Sequence, residues 1–109
     1  MPDRWWPGAA FIVLCTFAAH AYAQGGSAPA RSLAATCFTC HGTDGRSVGG
    51  VPPSLAGRDR NELVQQMKDF KAGRRPGTIM QQHAKGYTDA QIEQIAAYFA
   101  AVPSAQPGR

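Results

Sequence analysis

Cys37-Phe38-Thr39-Cys40-His41 constrains this chain more than any other stretch. Thiols at positions 37 and 40 of a helix stand about one turn apart. Each can bond one vinyl group of a single haem. The adjacent imidazole then falls beneath the haem plane, within reach of the iron. C-x-x-C-H therefore reads as a covalent haem attachment site. Three other readings compete. A thioredoxin-like redox dithiol needs a βαβ setting, and the chain offers no convincing strand. A structural zinc site needs four ligands, usually as two spaced couples, and His83 is the only further His or Cys downstream. A plain disulfide between Cys37 and Cys40 is the third.

The surroundings of the motif favour haem. Residues 1–23 read as a secretory signal: Arg4 gives a positive start, Phe11-Ile12-Val13-Leu14 lies in an apolar run, and Ala21-Tyr22-Ala23 is an A-x-A cleavage site. The run is short for a membrane span, so no span is expected after cleavage, and a retained anchor is the alternative. Cys15 falls inside the signal. Residues 24–109 are left as one domain. A domain of that size buries only about 60% of its unfolded surface and is marginal alone. A covalent haem would staple it. Export to the periplasm fits as well, because such a protein receives its haem after secretion.

Formal net charge is +4, and it is unevenly placed. Residues 58–85 carry Arg58, Arg60, Lys68, Lys71, Arg74, Arg75 and Lys85 against Asp59, Glu62 and Asp69. This stretch reads either as a solvated face or as a docking patch for a redox partner. Nucleic acid is excluded as a partner, because the excess is modest and no aromatic residues interleave with it.

The periodicity is helical throughout, and the fold class is all-α. A first helix is expected from near Pro29 to Cys40, with Leu33, Ala34 and Cys37 on one face and Gly42 as terminator. Residues 42–57 are a Gly/Pro-rich loop, with Leu55 its main apolar anchor and Val48 and Val51 lesser ones. Asp59 and Glu62 form a capping-box signature ahead of Leu63, Val64, Met67 and Phe70. Gly73 ends that helix. Residues 74–87 are irregular, with a short turn of helix near Met80 to Ala84. Thr88 and Gln91 cap a last helix, whose apolar side is Ile92, Ile95, Ala96, Phe99 and Val102. Pro103 stops it, and residues 104–109 form a tail.

His41 offers the iron one axial ligand. The other can come from Met80, Met67, His83, a lysine or nothing. Met67 falls on an apolar helix face, where core packing is its ordinary role. Met80 falls in the irregular segment, from which a loop can carry its thioether to the iron. His83, three residues on, can face the same way. Bis-His ligation would lower the potential relative to His/Met. The other ring nitrogen of His41 needs a hydrogen-bond acceptor to fix it, and the carbonyl of Pro53 in the Gly/Pro loop is the expected one.

Cys37-Phe38-Thr39-Cys40-His41-Gly42, Pro53-Ser54-Leu55-Ala56-Gly57, Met80 and then a helix bearing Ala97-Tyr98-Phe99 together resemble a class I cytochrome c. The resemblance spans about residues 30–102. It implies three main helices and Gly/Pro-rich loops around one haem c held by two thioethers, with His41 and Met80 on the iron. It also implies Leu55 on the haem, and Tyr98 or Phe99 where the first and last helices cross. The partners of the haem carboxylates are left open among Arg58, Arg74, Tyr87 or none of these.

A narrower similarity joins Cys40 to Ser47, Phe70 to Pro76 and Met80 to Thr88 to the cytochrome subunits of flavocytochrome c sulfide dehydrogenases. His83 departs from the apolar residue expected there. That similarity implies a FAD-containing flavoprotein subunit as electron donor. A free soluble monohaem carrier, shuttling between respiratory or photosynthetic complexes, is the alternative. The chain by itself shows no general base, nucleophile or polypeptide-built substrate pocket. Electron transfer rather than bond chemistry is therefore expected of it. A haem sensor or peroxidase would require an open sixth site.

Overall fold

The computed structural model describes residues 28–104. The expected signal, residues 1–23, and the tail beyond Ser104 lie outside them. Among the described residues four α-helices follow in order: α1 (Ala28–His41), α2 (Arg60–Lys71), α3 (Met80–Lys85) and α4 (Asp89–Ala101), with a 3-10 turn at Thr43–Gly45. There is no strand among the described residues. The all-α expectation holds.

Helix α1 accepts Pro29 in its first turn, where a missing N–H costs nothing. Its buried residues Ala30 and Ala34 are small, so the backbone can approach α4 closely. The helix ends because Gly42 takes φ of 82° while its N–H still bonds the carbonyl of Phe38 at 3.0 Å. A side chain on Gly42 would collide with the carbonyl of Arg46.

Helices α1 and α4 cross through aromatic contacts. The Phe38 ring lies 6.2 Å from both Tyr98 and Phe99, the latter edge-on. Phe99 is 1% exposed and Ile92 fully buried, and these two anchor the core. The expectation that Tyr98 or Phe99 occupies this crossing is met by both. A second clamp is polar. The Tyr98 hydroxyl donates to Asp44 Oδ1 at 2.5 Å, and Asp44 also pairs with Arg31 at 3.5 Å and Arg46 at 3.8 Å. Burial, then the hydrogen bond to Asp44 and its negative charge, raise the Tyr98 phenol above its ordinary value.

The Gly/Pro loop is stitched onto this frame by its backbone. Leu55 N–H and Ala56 N–H both donate to the Gly45 carbonyl, at 2.8 and 3.2 Å, and Gly57 N–H donates to the Phe99 carbonyl at 2.9 Å. Leu55 packs against the core as expected. Val48 and Val51 do not. They are 94% and 87% exposed, because the Gly49–Gly50 turn between them carries this part of the loop outward.

Asp59 caps α2, accepting from Glu62 N–H at 2.9 Å. The reciprocal half of the expected capping box is missing. The Glu62 carboxylate instead pairs with Arg58 and accepts from the Gln66 amide at 2.9 Å. At Thr88 both halves of the box form. The short turn of helix expected near Met80 to Ala84 forms as α3, with Met80 as its first residue.

Candidate functional site

The ends of α1 and α3, the face of α2 and the Gly/Pro loop enclose a cavity of about 350 Å³. Cys37, Cys40 and His41 reach it from the last turn of α1, and Met80 from the first turn of α3. The sequence-predicted residues are thus brought to one place. Leu55, Leu63, Phe70, Ile95 and Phe99 make much of the wall apolar. Met67, whose ordinary role was core packing among the candidate ligands, lines the same wall and packs on the core behind it.

His41 is 8% exposed, and its Nδ1 lies 2.7 Å from the carbonyl oxygen of Pro53. A carbonyl oxygen only accepts, so Nδ1 carries the proton and donates. Nε2 is left with the lone pair, which is the tautomer a metal-binding imidazole needs. The carbonyl comes from a residue with no N–H of its own and a fixed φ.

The two cysteines are not joined by a disulfide; Cys37 is half-buried and Cys40 exposed. Burial pushes the Cys37 thiol above its ordinary value, a hydrogen bond with Thr36 partly opposes this, and the neighbouring Cys40 adds to the rise. A redox dithiol works the other way, through a depressed thiol. With no βαβ unit among the described residues, the thioredoxin-like reading fails. The zinc reading fails too, because no three His, Cys, Asp or Glu side chains cluster as a metal site among them.

What remains is a donor set of two thiols one turn apart, one oriented imidazole and one thioether, in an apolar enclosure. The imidazole and the thioether are ligand types by which proteins hold haem iron, and the two thiols are the groups that can bond its vinyl substituents. Polar groups are few: Thr36, Arg75, Thr78, His83 and Tyr87 line the cavity besides the donor set. The Tyr87 hydroxyl and Thr36 Oγ1 are hydrogen-bonded at 2.5 Å, joining α1 to the segment before α4.

Residues 24–99 match the c-type cytochrome family described as cytochrome c oxidase, cbb3-type, subunit III. The chain belongs to this c-type cytochrome family. Haem c is accordingly its prosthetic group, and electron transfer its chemistry. The cytochrome is 46% identical over 67 residues to the cytochrome subunit of sulfide dehydrogenase from Chlorobaculum tepidum, covering 62% of this chain and 60% of that one. It is 35% identical over 78 residues to cytochrome c-554(548) of Halomonas halodenitrificans, covering 69% of this chain and 94% of that one. Among solved structures it is similar to Acidithiobacillus ferrooxidans cytochrome c4, at a TM-score of 0.65 and 33% identity, over 71% of this chain and 49% of that one. The cytochrome thus matches under two thirds of the sulfide dehydrogenase subunit and about half of the cytochrome c4 chain.

The basic stretch of this cytochrome is mostly internally paired. Arg58 pairs with Glu62, Arg60 and Lys68 with Glu93, Lys71 with Asp89 and Arg74 with Asp69. Hydrogen bonds from Arg74 and Lys71 hold the Asp69 and Asp89 carboxyls, respectively, below the usual carboxylate range. Neither Arg58 nor Arg74 lines the cavity, although Tyr87 does. The basic side chain that does is Arg75. Sequence reasoning missed it because its placement depends on the turn at Gly73 (φ 76°), which no periodicity encodes.

Proposed function

We propose that this cytochrome carries one haem c, bound by thioethers to Cys37 and Cys40 and ligated by His41 and Met80. Residues 1–23 are an export signal, and residues 24–109 work in the periplasm as a single electron-transfer domain. The observation that supports this assignment is the convergence of all four side chains on one apolar cavity, with His41 held in the ligating tautomer by Pro53. Bound there, the haem supplies one-electron chemistry, its iron alternating between ferric and ferrous. The chain's own part is to hold the two axial donors, exclude water with Leu55, Leu63 and Phe99, and keep His41 oriented.

The electron donor in this proposal is a FAD-containing flavoprotein subunit that oxidises sulfide. Its support is the 46% identity to a sulfide dehydrogenase cytochrome subunit. The second reading is a free carrier, favoured by the 94% coverage of cytochrome c-554(548). No described helix is long and apolar enough to cross a membrane, which is compatible with both.

Purification of the tagged protein from its own periplasm separates them, read by visible spectrum and flavin content. Haem with stoichiometric flavin, and reduction on adding sulfide, supports the subunit. Haem with no flavin leaves the carrier.

A further inference from the structure

The cavity has an apolar wall, no carboxylate and one permanently cationic side chain, Arg75. Its guanidinium carbon lies 5.1 Å from the centroid of the Phe70 ring, which also lines the cavity. Its backbone is pinned at both polar atoms. The N–H donates to the Asp69 carbonyl at 3.2 Å, and the carbonyl accepts from the Gln81 amide at 3.0 Å. Arg74, the next residue back, behaves differently. Its guanidinium makes two hydrogen bonds to Asp69 Oδ1, at 2.9 and 2.7 Å. Among the described residues Arg75 has no carboxylate within ion-pair distance, whereas five of its basic neighbours do.

A cation seated on an aromatic face, fixed at its backbone and without a direct ion pair, is prepared for an anion that arrives with the ligand. A haem brings two carboxylates into a largely apolar enclosure, and burying an unpaired carboxylate is costly. We infer that Arg75 is the positioning residue that pairs with a haem carboxylate, and that it tunes the reduction potential through that pair. The inference rests on the haem reading proposed above. A planar guanidinium suits this role better than an ammonium, because it stacks on Phe70 and still presents a fork of N–H donors.

The sign of the effect follows from charge. The ferric centre carries one more positive charge than the ferrous one, so a nearby cation disfavours it and raises the potential. The same cation favours the ionised carboxylate and keeps its pKa low. Loss of Arg75 therefore lowers the potential and moves the carboxylate-linked break in its pH dependence upward. The other titratable groups at the cavity are Cys37 and Cys40, consumed by thioethers, His41, committed to iron, and His83 and Tyr87. The α2 and α4 residues that line it add no further ionisable side chain; Asp69 of α2, outside the lining, is hydrogen-bonded to Arg74 and also feels the Arg75 charge.

The test is redox titration of the holoprotein against pH, in wild type, Arg75→Gln, Arg75→Lys and Arg74→Gln, repeated in a His83→Gln background. Arg75→Gln is expected to lower the potential and raise the break. Arg75→Lys restores most of both, and Arg74→Gln leaves both at their wild-type values. The Arg75 effect persists without His83. Equal shifts in Arg74→Gln and Arg75→Gln would make it a general surface-charge effect and overturn the inference. So would a wild-type profile in Arg75→Gln, or an Arg75→Lys variant that follows Arg75→Gln. Wild-type protein lacking covalent haem would overturn the haem reading itself, which the spectrum shows before any titration.

Discussion

The ring of His41 is fixed by the carbonyl of Pro53, Nδ1 to oxygen at 2.7 Å across twelve residues of chain. This one bond ties α1 to the Gly/Pro loop. It selects the tautomer that leaves Nε2 free, and gives that loop a role besides covering the core. The bond donor and acceptor are both held from outside: His41 by the last turn of α1, Pro53 by a loop whose later residues bond to Gly45 and Phe99.

Replacing Met80 by Ala should abolish the far-red charge-transfer band that marks sulfur on ferric iron. His83→Ala should keep it, because the proposed ligand is Met80, in the first turn of the same short helix. Visible spectra of the two oxidised variants check this. A band that survives in Met80→Ala would move the ligand elsewhere.

Changing Cys37 and Cys40 together to Ala should leave no haem on the chain after denaturing electrophoresis. Stability should fall as well, since the domain is small and the apolar wall of its cavity would then face solvent. Haem staining and thermal melts read the two effects separately.

The Tyr98 to Asp44 bond is worth about 1–2 kcal/mol, since one partner is charged but retains Arg31 and Arg46. Tyr98→Phe should lose about that much in denaturant titration. The phenol is raised in the folded state, chiefly by burial. Its contribution is therefore complete below the unfolded value near pH 10 and is lost as pH climbs through the folded value. Wild-type stability should fall across that alkaline range more steeply than that of Tyr98→Phe.

Gly45 permits the close approach of the loop to the core. A Cβ there would lie 2.7 Å from the Phe99 ring and 3.0 Å from Leu55, at a φ of 76°. Gly45→Ala should destabilise by about 1–3 kcal/mol through overpacking and by about 1 kcal/mol more through φ. Gly49→Ala has open space around its Cβ and should suffer the φ penalty alone. Chemical melts of the two variants should differ accordingly.

Helices and caps were legible because their signals are local. Thr88 with Gln91, Asp59 before α2, and Gly42 after His41 all act within four residues. The cavity was legible because C-x-x-C-H, Pro53 and Met80 follow a recognisable order. What escaped is long-range or depends on turns. Thr36 and Tyr87 meet across 51 residues, and Asp44 and Tyr98 across 54. No periodicity links such pairs. Glu62 lost its capping role to Arg58 and Gln66, competitors one helical turn away on either side. Val48 and Val51 read as anchors by hydropathy, but the Gly49–Gly50 turn holds them outward.

Intact mass of the exported protein under denaturing conditions tests the central claim most directly. The proposed assignment predicts a chain beginning at Gln24 with the mass of one haem retained, and that addition vanishing in the Cys37→Ala, Cys40→Ala variant. A polypeptide mass without addition, or an addition that survives loss of both cysteines, would contradict it.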